Sequence, residues 1–160
     1  MEEQFTFFYR TAHPFSQWYE SNYEIDGIHF NTAEQYMMYG KAMLFGDVEI
    51  AQKVLTVKHP RDQKALGRQV KNFIPEVWER EAKNIVYKAN YAKFTQNENL
   101  KKFLLDTKGT TLVEASPTDV IWGIGMDEND PKRFDRSEWR GTNWLGEVLT
   151  QLREDLLSGQ

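Results

Sequence analysis

Apolar residues recur at three- and four-residue steps along most of this chain, and alternate only in a few short runs. Thr6-Phe7-Phe8-Tyr9 is short and aromatic and predicts a strand. Tyr23-Glu24-Ile25 and Ile28-His29-Phe30 flank Asp26-Gly27, the two-residue signal of a type I′ hairpin. Asn31-Thr32 then offers an N-cap, with Glu34-Gln35 in the first turn of the helix it opens. Over Ala33 to Phe45 the positions Met37, Met38, Lys41, Ala42 and Phe45 fall at helical steps. Gly46-Asp47 ends that helix and caps the next, over Val48 to Val54. Pro60 suits a first helical position and predicts a helix to about Val70. Pro75 does the same for the longest helix, Glu76 to Phe94. Its apolar stripe is Val77, Trp78, Ala82, Ile85, Val86 and Ala89. Asn97 to Asp106 predicts one more helix, through Leu100, Phe103, Leu104 and Leu105.

The period then changes. Thr110 to Ala115 is β-branched and short and predicts a strand, and Val120-Ile121-Trp122 predicts a second, closed by Gly123-Ile124-Gly125. Met126 to Arg140 is polar, contains Pro131 and lacks periodicity, so it predicts a loop or flap. Gly141 to Leu157 predicts the final helix, with Leu145, Val148, Leu149, Leu152 and Leu156 spaced for burial. Helices outnumber strands, and no repeat, low-complexity tract or linker interrupts them. The expected class is a mostly α-helical α+β fold in one domain over residues 1–160.

Composition narrows the partners. Aromatics make up 14% of the 160 residues, which predicts a ring-rich core. The absence of cysteine removes disulfide and thiolate chemistry, together with zinc sites built on cysteine ligands. A net charge of −4 lacks the positive field of a sequence-independent duplex binder and favours a nucleotide-sized ligand. No basic leader or bilayer-length apolar run is present, so the expected location is cytoplasmic.

Three features could carry chemistry. Glu34 and Lys41 are nearly two turns apart and share a face, about 10 Å along the axis. A lysine set beside Met37, Met38 and Phe45 meets a desolvation cost, which lowers its pKa and makes it a nucleophilic amine. The plain alternative is a first-turn carboxylate favouring the helix dipole and a snorkelling surface lysine. Asp119 to Gly125 sets Trp122 beside Gly123 and Gly125, where backbone could approach a ligand while the indole stacks on a planar ring; a buried strand and turn would look the same. At Gly141-Thr142-Asn143-Trp144, Asn143 and the free first-turn N–H groups could bind phosphate or a ribose hydroxyl, or simply cap the helix. Arg68 could pair with phosphate through its fork of donors. His13, His29 and His59 are dispersed, so no metal site is expected, and no cofactor motif is present.

These features occur in a familiar order. Phe15-Ser16-Gln17-Trp18-Tyr19, Ile25-Asp26-Gly27, Asn31 to Met38 and Lys41-Ala42 resemble the N-terminal signature of the YbiA-like, or NADAR, family. Further matches are Ala65-Leu66-Gly67-Arg68, Trp78, Lys93-Phe94, Leu112 to Ser116, Asp119, Ile121 to Gly125 and Gly141 to Gly146. The likeness runs from about Phe7 to Leu156. It departs at Gly40, where the family commonly has glutamine before its lysine and alanine, and at Gln17, where many members have asparagine after serine.

The resemblance implies a compact, mainly helical domain that cleaves N-glycosidic bonds between ribose and a base or amine. It implies two substrate groups: phosphorylated ribosylamino-pyrimidine intermediates of riboflavin biosynthesis, and ADP-ribose on guanine, including guanine in nucleic acid. Lys41 matches the lysine proposed to form a Schiff base with the opened sugar, and Glu34 the acidic residue of the same helix. Ser16, Trp18, Arg68, Asp119, Trp122, Gly123, Gly125 and Asn143 are the expected substrate-binding residues. A non-catalytic module binding ADP-ribose or NAD-like ligands is the alternative reading.

Overall fold

A computed structural model describes residues 2–159. In chain order the elements are β1 (Phe5–Phe8), β2 (Tyr23–Ile25), β3 (Ile28–Phe30), α1 (Ala33–Leu44), α2 (Val48–Val54), α3 (Pro60–Gly67), α4 (Pro75–Thr95), α5 (Glu98–Leu105), β4 (Thr111–Glu114) and α6 (Trp144–Leu157). This is the mostly helical α+β class that the periodicity predicts. The elements gather into two compact units, one of residues 17–97 and one of residues 2–16 with 98–159.

In the 17–97 unit, α1 packs against α2, α3 and α4. Met38 and Ala42 of α1 are buried with Ile50, Ala51, Val54 and Val70. Gly67 permits this closeness, because a Cβ there would fall 1.9 Å from the Met38 sulfur. The antiparallel hairpin β2–β3 turns through Asp26 and Gly27, both at positive φ (52° and 79°), as a type I′ turn requires. Its Tyr23, Ile25 and Phe30 pack with Ala92 of α4.

In the other unit, β1 pairs in parallel with β4, and α6 packs on β4. Val113, Ala115, Ile124 and Met126 form a buried cluster with Phe5, Phe7 and Trp139 against it. Two expectations are corrected here. Val120-Ile121-Trp122 is not a strand, although its residue types favour one. The Asp119 carboxylate accepts the N–H groups of Ile121 (2.9 Å) and Trp122 (2.8 Å), curling the segment into a side-chain-capped turn. The final helix begins at Trp144 instead of Gly141, because Asn143 takes the left-handed conformation (φ 54°, ψ 40°), which interrupts a right-handed helix. Within 126–140, Pro131–Phe134 and Arg136–Glu138 form short 3-10 turns.

Candidate active site

The start of α1 is fixed by a buried polar network. Thr32 caps the helix by accepting the Gln35 N–H (3.0 Å), and its hydroxyl donates to Gln63 Oε1 (2.6 Å). Gln35 accepts the Asn31 N–H (2.8 Å) and donates to the Val54 carbonyl (3.0 Å), while Gln63 donates to Asn31 Oδ1 (2.8 Å). An unmatched buried polar group costs about 1–3 kcal/mol, so this mutual pairing specifies one entry geometry. It sets Glu34 in the first turn.

Glu34 is only 7% exposed. Its backbone N–H donates to the Gln17 carbonyl (3.0 Å), and its Oε1 accepts the Trp18 indole N–H (3.0 Å). The 17–18 segment is itself clamped. Gln17 and Asn90 of α4 exchange two amide hydrogen bonds, both 3.1 Å, and Asn90 also donates to the Val86 carbonyl (2.8 Å). Trp18, expected as a substrate contact, therefore orients a carboxylate oxygen.

Lys41 lies half-buried on the same helix, its Nζ 4.8 Å from the centre of the Phe73 ring and 5.7 Å from that of Trp78. Desolvation pushes its pKa below the ordinary lysine value. The negative charge of Glu34 pulls the other way, and the positive charge of Arg68 adds to the lowering. Lys41 thus feels the charge of both Glu34 and Arg68, with Arg68 on the exposed side. A lysine with a lowered pKa and access to solvent is a usable amine nucleophile. Lys93 of α4 is lowered further, to about 7, by burial. It is 0% exposed, so no ligand in solution reaches it.

The remaining predicted residues belong to the other unit. Ser16 is buried there, its N–H donating to the His13 carbonyl (2.9 Å). Asp119 caps the turn described above. Gly123 approaches its own chain, since a Cβ would stand 2.9 Å from the Glu114 carbonyl oxygen and 3.0 Å from that of Asp119. Gly125 has φ +68° and lies against Arg140 and Val120. These contacts give both glycines a structural use. Asn143 has one too. Its Oδ1 accepts the Glu114 N–H (3.0 Å) and its Nδ2 donates to the Leu112 carbonyl (3.1 Å), so the amide clasps β4. The Trp144 and Leu145 N–H groups bond the carbonyls of Ile121 and Trp122, which occupies donors that a phosphate would need. Trp122 remains half-buried, edge-on to Trp144 at 5.5 Å. A cavity of about 280 Å³ in this unit is lined by residues including Tyr9, Arg10, His13 and Glu128, and by none of the predicted site residues.

The sequence model of the NADAR domain matches residues 7–157. The chain belongs to the NADAR domain family. Protein irg-1 of Caenorhabditis elegans is 41% identical to it, the match covering 98% of this chain and 81% of that protein. N-glycosidase R617 of Acanthamoeba polyphaga mimivirus is 42% identical over 90% of this chain and 88% of its own. The NMR structure of Escherichia coli YbiA superposes with a TM-score of 0.79 at 28% identity, covering 99% of this chain and 88% of that one.

Two residues of this NADAR chain receive no role from the sequence alone. Lys93 falls in phase with Val86 and Ala89 on α4, so extending the apolar stripe by one turn would have placed it in the core. Phe73 lies between α3 and α4, where no periodicity operates; only the three-dimensional structure brings it to Lys41. Among the described residues no three His, Cys, Asp or Glu side chains gather as a metal site would require. The Nδ1 atoms of His13 and His59 each accept a backbone N–H, at 3.1 and 3.0 Å.

Proposed function

We propose that this protein is an N-glycosidase in which Lys41 is the nucleophile and Glu34 the acid–base group. The observation that carries the reading is the solvent-reachable amine of Lys41, its pKa lowered by desolvation, on the same helix as a nearly buried carboxylate oriented by the Trp18 indole. In the first step Glu34 in its acid form protonates the ribose ring oxygen. The lone pair of the glycosidic nitrogen opens the ring, leaving a C1 iminium. Neutral Lys41 adds to C1, and the nitrogen leaves as the free base or amine, taking the proton that Lys41 sheds. The resulting lysine–C1 Schiff base takes up water, and collapse of the carbinolamine returns Lys41 and releases the sugar as its aldehyde. Glu34 moves protons on both legs of this cycle, a service usually worth about 10²–10⁴ in rate.

The substrate class is a ribosyl N-glycoside bearing phosphate, either a ribosylamino-pyrimidine phosphate or ADP-ribose on guanine. The charge on exposed Arg68, close enough to be felt at Lys41, supports a phosphate near the sugar. The test is hydrolysis of both compounds side by side by the wild type, Lys41→Ala and Glu34→Gln. The expected outcome is base release from at least one compound, abolished in Lys41→Ala and reduced at least about a hundredfold in Glu34→Gln, with melting temperatures little changed. Tight binding without turnover of either compound would instead identify a module that only binds such ligands.

A further inference from the structure

Phe73 is a large apolar side chain that remains 40% exposed, on the connection between α3 and α4. Three features hold it in place. Asp47, itself nearly buried, accepts the Lys71 N–H at one carboxylate oxygen (2.9 Å) and the Ile50 N–H at the other (3.1 Å), which ties the connection to α2. Asn72 then turns the chain through the left-handed region at φ 62°. Phe45, just beyond α1, meets the Phe73 ring at 5.2 Å and 61° and braces one side of it. A pre-set, partly exposed aromatic ring with the Lys41 amine over it, 4.8 Å from its centre, is the result.

We propose that Phe73 is the stacking platform for the planar base of the substrate, and so a residue that selects ribosides of aromatic bases over simpler ribosylamines. The inference rests on the N-glycosidase reading for the identity of the attacked carbon. Reacting atoms approach to about 3–3.5 Å before bond formation. A base attached to the carbon that Lys41 attacks lies one bond beyond that point, and presented on the Phe73 side of the amine it comes within stacking reach of that ring, 4.8 Å from Nζ. Trp78, 5.7 Å from the same amine, borders the place from α4.

The experiment is calorimetric titration of the full chain with guanosine 5′-monophosphate, uridine 5′-monophosphate and ribose 5-phosphate, for the wild type, Phe73→Ala, Phe73→Leu and Phe73→Trp. Base–aromatic stacking predicts that both nucleotides bind the wild type more tightly than ribose 5-phosphate does. Phe73→Ala and Phe73→Leu should weaken them roughly ten- to hundredfold, and Phe73→Trp should restore binding. Ribose 5-phosphate should change less than about threefold throughout. Equal losses for ribose 5-phosphate and the nucleotides would assign the ring to the amine and overturn the proposal. So would a wild type with no preference for the nucleotides, or full rescue by leucine. A persistent nucleotide effect in a protein that hydrolyses no riboside would break the N-glycosidase reading while upholding the platform.

Discussion

Replacing Lys93 by methionine should change stability in a pH-dependent way, favouring the variant more at pH 6 than in alkali. Lys93 is wholly buried in α4, and desolvation lowers its pKa from 10.5 to about 7. In the unfolded chain it regains the higher value. Below pH 7 both states hold the proton, and the folded state bears the cost of burying it, less whatever the groups around Nζ return. Between pH 7 and 10.5 the unfolded chain keeps the proton that the native state has released, so stability rises with pH. At about 1.4 kcal/mol per pH unit, the whole interval is worth about 5 kcal/mol. The charged form recovers part of this from the Tyr19 and Phe94 rings, whose centres lie 5.5 and 5.0 Å from Nζ. Relative to the wild type, Lys93→Met is therefore expected to be about 2–4 kcal/mol more favourable at pH 6 than at pH 10. Urea denaturation of both proteins at pH 6, 8 and 10 measures it. The relative stability of the variant should fall steadily towards pH 10. A difference that ignores pH, or that moves the other way, would refute the reasoning.

Other outcomes follow from the same contacts. Trp18→Phe removes the indole donor from Glu34 while keeping a ring, so kcat should fall about ten- to hundredfold, with a smaller change in KM, in steady-state hydrolysis assays. Asn143→Ala strips the partners from the Leu112 carbonyl and the Glu114 N–H and should cost about 2–4 kcal/mol by denaturation. A raised KM with unchanged stability in that variant would return Asn143 to the phosphate-binding role first expected of it. Because desolvation lowers the Lys41 pKa, the rate of imine formation should rise with pH through a midpoint below 10.5. A midpoint at or above that value would place the amine in an environment like water.

Much of the 17–97 unit is legible in the sequence because its signals are local. Asp26-Gly27 specifies its hairpin by backbone conformation alone, and Thr32 specifies the start of α1 through a bond to a residue three positions on. The spacing of Glu34 and Lys41 places both on one helix, and the half-buried state of Lys41 follows from the apolar residues beside it. What the sequence conceals depends on partners distant in the chain. The β-prone Val120-Ile121-Trp122 segment yields to the Asp119 side chain, and the carbonyls it frees are taken up by residues 142–145. Gly123 and Asn143 look like ligand contacts because close backbone approach and spare amide groups serve either purpose; here β4 and the turn after it use them. Gln17 reveals its role only opposite Asn90, 73 residues away.

The central claim is that the Lys41 amine bonds covalently to the sugar. It is tested most directly by adding borohydride during turnover of a ribosylamino-pyrimidine phosphate, followed by intact-mass measurement and peptide mapping. The account predicts one sugar phosphate retained per chain, attached at Lys41 and absent from Lys41→Ala. Turnover at full rate with no retained sugar, or retention elsewhere with Lys41→Ala still active, would contradict it.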